Sequence, residues 1–72
     1  MAKILDSYSL SPTIMIVAAE GMAGDWSAYI HLVRGADLDE EMRNVVRFGS
    51  PVRKDIAALL FPKLDLERYN GG

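Results

Sequence analysis

The chain has 72 residues, which is enough for a single domain over residues 1–72 and too few for two. It has no cysteine and one histidine, which excludes disulfides and thiol catalysis and argues against a metal site. Half of its residues are hydrophobic and its net charge is −2 at pH 7, so the composition is typical of a globular protein without a general attraction to nucleic acid or anionic membranes.

The N-terminal quarter contains one clear strand. Residues 3–10 alternate weakly between apolar and polar side chains, a pattern compatible with an edge strand or with a loosely ordered arm. After the break at Pro12, residues 13–19 (TIMIVAA) are apolar or β-branched, which predicts a strand covered on both faces. Because the chain is so small, we expect helices on one face and a second copy of the chain on the other, which favours a homodimer.

A second strand follows a loop that contains glycine. Residues 20–25 (EGMAGD) carry two glycines and predict a hairpin connection. In residues 26–34 the apolar side chains of Trp26 and Ala28 alternate with more polar ones, which is typical of a half-buried strand. We expect this strand to pair antiparallel with the preceding one, because consecutive strands are usually neighbours in a sheet.

Two helices are expected in the C-terminal half. Asp37 is a good N-cap for a helix over residues 37–48, and Gly49 is a typical residue after the end of a helix. The pair Ser50-Pro51 then supplies a second N-cap and a proline at the first helical position, which predicts a second helix over residues 51–61.

These elements together predict an α+β fold. The strands precede the helices, so we expect a small antiparallel sheet of two or three strands, followed by a two-helix hairpin packed on one face. Each predicted helix offers one apolar stripe to such a sheet. The last residues, 70–72, should form a frayed tail.

The predicted helical hairpin, residues 37–61, suggests one alternative, a DNA-binding helix-turn-helix-like unit. Arg53 and Lys54 would then lie where contacts to the major groove originate. Against this, residues 37–41 carry four carboxylates, which would repel phosphates, and the glycine-containing turn is shorter than usual. An ordinary helical hairpin with solvated cations is the favoured interpretation, and nucleic acid is a disfavoured partner.

The loop before the second strand is the stretch most typical of a contact surface. Met22 lies at its tip and Trp26 at its edge, and both residue types are common in interfaces. With Tyr29 and His31 on the outer face of the strand, they form the predicted partner-binding surface. The alternative is that Trp26 anchors the hairpin in the core and Met22 covers the edge of the core.

No catalytic pattern emerges from the polar residues. His31 and Ser27 share a strand face but are four residues apart, too far for a direct hydrogen bond. The carboxylates of residues 37–41 are explained as a helix-capping cluster, and nucleotide-binding and metalloprotease motifs do not occur in the sequence. We therefore expect no enzymatic activity, no cofactor and no metal.

The function predicted from the sequence is that of a small non-enzymatic binding or regulatory protein acting through protein–protein contacts, a type that phages and other mobile elements often encode. The expected partners are another protein and a second copy of the chain. The longest apolar run is too short to cross a bilayer, so no membrane partner is expected. Asp6 and Pro12 interrupt what would be the apolar core of a signal peptide, which favours a cytoplasmic location.

Overall fold

A four-stranded antiparallel sheet with one helix on each face makes up the protein, as seen in a computed structural model that describes residues 3–70. The strands, which follow one another in the sheet in chain order, are β1 Lys3–Ser11, β2 Ile14–Glu20, β3 Trp26–Leu32 and β4 Ser50–Pro51. The helices are α1 Leu38–Phe48 and α2 Lys54–Leu60, and a short 3₁₀ helix, Leu66–Arg68, follows. The predicted α+β class is confirmed, while the number of strands and the placement of the helices differ from the prediction.

Both faces of β2 are covered by helices of the same chain. On one face Met15 and Val17 pack with Val45 of α1. The opposite face packs on α2 and the C-terminal segment, and its cluster consists of Ile16, Ala18, Trp26, Ala28, Val52, Ala57 and Phe61. The prediction that both helices pack on one face is therefore wrong. The expected homodimer also loses its structural reason, because no face of β2 is left for a second copy to cover.

The strand β4 separates the two helices and explains why they lie on opposite faces. Ser50 and Pro51 pair with Ile30 and Tyr29 of β3, and the next backbone N–H, that of Val52, donates to Ala28 O at 2.8 Å. The chain thus passes along the sheet edge between α1 and α2. The predicted start of the second helix at Pro51 is corrected to Lys54, because pairing with β3 outweighs the local cap and proline signals.

The N-terminal segment is the edge strand β1, so the strand alternative for residues 3–10 is correct. β1 pairs only with β2 among the described strands, and most of its side chains are exposed. Its register shifts twice, between Ile4 and Asp6 and between Ser9 and Ser11. Such bulges are a common protection of exposed sheet edges against pairing with other chains.

The ends of α1 are fixed by Asp37 and Gly49. The Asp37 carboxylate accepts hydrogen bonds from the backbone N–H of Asp39 and Glu40 at 3.0 and 3.3 Å, which confirms the predicted N-cap. Gly49 has extended backbone angles rather than the left-handed conformation of many helix ends. Glycine is required there for another reason: a Cβ would stand 2.9 Å from Ile30 O and still closer to Val45 O.

Replacing Gly49 with alanine is expected to lower the free energy of unfolding by about 1–2 kcal/mol, because both obstructing atoms belong to backbone that cannot move freely. Urea unfolding followed by circular dichroism measures this change. Ser50→Ala, at the exposed neighbouring position, is the control and should change the free energy by less than about 0.5 kcal/mol. Equal midpoints for Gly49→Ala and the wild type would contradict the close approach of Gly49 to β3.

Trp26 ties the C-terminal segment to the sheet. Its indole Nε1–H donates to Asp65 O at 2.7 Å, and its own backbone carbonyl accepts from Asn70 N–H at 2.7 Å. The ring of Tyr69 lies edge-on to the indole, with centroids 4.7 Å apart. The predicted fraying therefore does not begin at Asn70, and residues 71 and 72 lie outside the described part of the chain.

The half-buried Tyr69 hydroxyl donates to Val52 O, and burial raises the pKa of Tyr69 above its ordinary value of 10.0. A raised pKa means that folding favours the neutral phenol. Its contribution to stability is complete below pH 10 and is lost as the pH rises through the pKa of the folded state.

Tyr69→Phe is therefore expected to cost about 1 kcal/mol at neutral pH and to weaken the loss of stability in alkali. Urea midpoints at about pH 8 and about pH 10.5 test both effects, because this interval spans the ordinary phenol pKa. Tyr8→Phe, at an exposed tyrosine of β1, is the control and should retain the alkaline loss of the wild type. An unchanged alkaline loss in Tyr69→Phe would contradict the role assigned to Tyr69.

Candidate functional site

The four residues predicted to form the partner-binding surface do not lie together. Met22 is fully exposed in the β2–β3 connection, whereas Trp26 is only 3% exposed and belongs to the core beneath α2. Tyr29 and His31 alternate to the opposite face of β3, where they are partly covered by α1. The structure thus supports the alternative role of Trp26 as a core anchor.

The two cations of the DNA-binding alternative lie at the start of α2. The Arg53 guanidinium pairs with Asp55, with Nη2 and Oδ2 2.6 Å apart, and this hydrogen bond raises the pKa of Arg53 and lowers that of Asp55. Lys54 is exposed beside them. Because α1 and α2 lie on opposite faces of the sheet, they do not form the paired helices that a helix-turn-helix requires.

A pocket between α1 and the end of β3 is lined by Glu41, the one charged or polar residue that is buried among residues 3–70. Its volume is about 340 Å³. The residues that line it are His31, Arg34, Glu41, Asn44 and Phe48. We call it the Glu41 pocket. It combines an acidic, a basic and an amide side chain with an imidazole and an aromatic ring.

The helical spacing of α1 turns Glu41 toward the sheet. Glu41 precedes the buried Val45 by four residues and Phe48 by seven, so the three share one side of the helix. The Glu41 side chain is only 7% exposed, while Leu38 in the same turn is 58% exposed. A carboxylate thus occupies an inward position that the apolar pattern would assign to a hydrophobic residue.

The Glu41 carboxylate is not satisfied by the surrounding residues. Within residues 3–70, its Oε2 atom accepts no hydrogen bond. The nearest cationic candidate is His31, whose Nε2 lies 3.7 Å away, longer than a hydrogen bond. Buried carboxylates without donors are costly, and the great majority of buried polar side-chain atoms have a partner. Glu41, which lines the pocket, therefore has a buried carboxylate oxygen whose need for a hydrogen-bond donor the described residues do not meet.

Gly35 forms the wall beside the other carboxylate oxygen. A Cβ at this position would stand 3.0 Å from Glu41 Oε1, tighter than an ordinary contact. The absence of a side chain at Gly35 thus leaves the carboxylate room within the β3–α1 connection. At the rim, Phe48 is 71% exposed and Arg34 is exposed as well. The pocket therefore has an acceptor at its base and an apolar ring at its mouth.

A larger cavity, about 540 Å³, lies at the start of α2 between Arg53, Lys54 and Leu66. It gives less indication of a ligand site than the Glu41 pocket, because its Arg53 and Asp55 side chains already pair with each other and are exposed to water. Ion pairs of this kind contribute little and indicate no ligand. Unlike Glu41, these groups do not need a donor or acceptor from outside the chain.

The carboxylate cluster of residues 37–41, which predicts helix capping, also contains a signal for the inward position of Glu41. Of the carboxylates in residues 37–41, only Asp37 caps α1 through its side chain, and Glu41 points inward. Glu41 lies four residues before the buried Val45, a spacing that places both on one side of the helix and marks Glu41 as an inward position.

Two further findings bear on the chemistry of the chain. Across residues 3–70, no group of three or more histidine, aspartate or glutamate side chains is placed to hold a metal ion. In the same range, neither helix has the length and apolar content needed to cross a membrane.

Comparison of the chain with protein-family models, curated proteins and solved structures found no match.

Proposed function

We propose that the protein is a non-enzymatic binding protein that engages a partner protein through the rim and base of the Glu41 pocket. The observation that supports this most is the buried Glu41 oxygen without a hydrogen-bond donor, set beside the exposed ring of Phe48. Aromatic residues, phenylalanine among them, are enriched in protein interfaces, and interaction hot spots lie in desolvated pockets.

Binding is favoured over catalysis by the chemistry of the pocket. Among the described residues, those that line it carry no hydroxyl or thiol that could act as a nucleophile. His31 and Glu41 are 3.7 Å apart, so the carboxylate does not orient the imidazole by a hydrogen bond. These two features favour a site that holds a donor group over a site that activates a substrate.

The proposed partner is a different protein rather than a second copy, because the apolar faces of β2 are already covered by α1 and α2. A regulatory role and a cytoplasmic location complete this proposal. Met22, fully exposed at the loop between β2 and β3, marks the competing contact surface. It lies in a different connection from Arg34 and α1, so substitutions can separate the two surfaces.

Phe48→Asp is expected to reduce recovery of the partner at least about tenfold when the tagged protein is captured from its native cell, because hot-spot aromatics contribute about 2 kcal/mol or more. The matched control is Leu59→Asp, which places the same charge on α2, where Leu59 is 82% exposed. Quantitative mass spectrometry of the captured proteins measures both.

A partner lost from Phe48→Asp and retained by Leu59→Asp supports the proposed surface. A partner retained by Phe48→Asp but lost from Met22→Asp would move the site to the β2–β3 loop and contradict the proposal. Trp26 fluorescence reports whether each variant is folded, since Trp26 is the single tryptophan and is buried in the core.

A further inference from the structure

On the basis of the proposed function, we infer that the Glu41 pocket is a recognition site for a lysine or arginine side chain of the partner protein. The carboxylate of Glu41 receives the ammonium or guanidinium group, and Phe48 contacts the aliphatic stem. The proposed function requires only that this surface binds a partner, whereas this inference names the chemical group that enters the pocket.

The buried Glu41 oxygen requires a hydrogen-bond donor from outside the described residues. A charged, buried acceptor gains most from a cationic donor, because a cation both donates the hydrogen bond and compensates the buried charge. Neither the imidazole of His31, at 3.7 Å, nor any other group in residues 3–70 supplies this bond. A neutral amide or hydroxyl donor would leave the charge of Glu41 without compensation in its buried position.

The shape of the pocket suits a long side chain with a charged end. Its volume of about 340 Å³ admits an extended side chain, and its lining follows α1 from Glu41 to Phe48. Lysine and arginine carry long apolar stems that pack along aromatic rings while their charged ends reach a polar partner. Phe48 at the rim and Glu41 at the base offer these two contacts in that order.

Arg34 is the group in the pocket that opposes a cationic ligand. It is exposed, so its guanidinium is hydrated and its repulsion of an incoming cation is screened by water. Removing it should therefore strengthen binding of a cation modestly, about two- to fivefold. The direction of this change in affinity separates a cation site from an anion site, because loss of Arg34 would weaken the binding of an anion.

Titration with Nα-acetyl-lysine methylamide, followed by ¹H–¹⁵N NMR, tests the inference on the whole chain. We expect saturable shifts at His31, Arg34 and Asn44 with a dissociation constant of about 1–10 mM, as is usual for one ion pair with a small apolar contact. Nα-acetyl-norleucine methylamide, which lacks the ammonium group, is the matched probe and should bind at least about tenfold more weakly.

Glu41→Gln is the matched protein variant, because it keeps the shape of the side chain and removes its charge. We expect it to bind the lysine probe at least about tenfold more weakly, and Arg34→Ala to bind it more tightly. Equal affinity for the lysine and norleucine probes, or an unchanged affinity in Glu41→Gln, would overturn the inference. Tighter binding of the lysine probe by Glu41→Gln would overturn it as well.

Capture of the partner with Glu41→Gln separates this inference from the proposed function. Reduced recovery with both Glu41→Gln and Phe48→Asp supports a basic side chain supplied by the partner. Recovery reduced by Phe48→Asp alone would retain the partner surface and overturn the assignment of its occupant. Recovery unchanged by Phe48→Asp would contradict the proposed function, even if the lysine probe binds.

Discussion

Trp26→Ala is expected to lower the free energy of unfolding by about 3–5 kcal/mol, which is most of the stability of a small domain. The indole is buried beneath α2 and meets the ring of Phe61 edge-on at 6.3 Å. It also holds the C-terminal segment, because its Nε1–H donates to Asp65 O. Removing the side chain therefore leaves a cavity and an unpaired carbonyl at once.

Urea unfolding followed by circular dichroism measures this loss, since the variant has no tryptophan to observe. Trp26→Phe is the graded control: it keeps an aromatic ring and removes the N–H donor, so an intermediate loss of about 1–3 kcal/mol is expected. A loss below about 1 kcal/mol for Trp26→Ala would show that the indole is not a core residue, since buried aromatics cost more. That result would restore Trp26 as a candidate partner contact.

Glu41→Leu is expected to raise the free energy of unfolding by about 2 kcal/mol, an unusual direction for a substitution at a buried position. Among residues 3–70 nothing donates to Oε2 of this buried carboxylate, so the folded protein carries the desolvation cost of that oxygen. Leucine has a similar volume and no such cost, and its neighbour on the helix, Val45, is fully buried and apolar.

The control for this substitution is Glu40→Leu, in the same turn of α1. Glu40 is exposed, so the same exchange there should change the free energy of unfolding by less than about 0.5 kcal/mol. A loss of stability in Glu41→Leu would instead mean that the carboxylate stabilises the fold. A gain would place Glu41 among residues that are favourable for binding and unfavourable for folding, as functional sites often are.

The parts of the fold that were predictable depend on contacts close in sequence. The paired strands β2 and β3 follow from their apolar composition and the glycine-containing loop, and Asp37 caps α1 as its position before the helix indicates. Ser50-Pro51 carried equally clear local signals for a helix start, yet it pairs with β3, about 20 residues earlier in the chain. Local propensity could not reveal this competing long-range pairing.

The candidate site was less predictable than the fold, because it depends on which way α1 faces the sheet. His31 was selected from the sequence, but its position beside Glu41 requires α1 to pack on the same face of β3. The predicted packing of both helices on the opposite face leaves His31 exposed. Trp26 shows the converse error, since its interface-prone chemistry is used in the core to hold Tyr69 and Asp65.

The most direct measurement is the change in unfolding free energy caused by Nα-acetyl-lysine methylamide in the wild type and in Glu41→Leu. With about 50 mM probe and dissociation constants of about 5 mM for the lysine probe and about 50 mM for the norleucine probe, the wild type should gain about 1 kcal/mol more from the lysine probe at matched ionic strength. Glu41→Leu should gain nothing, because the group that binds the ammonium is gone. Equal gains in the two proteins, or no gain in the wild type, would contradict the role of Glu41 as a receptor for a basic side chain.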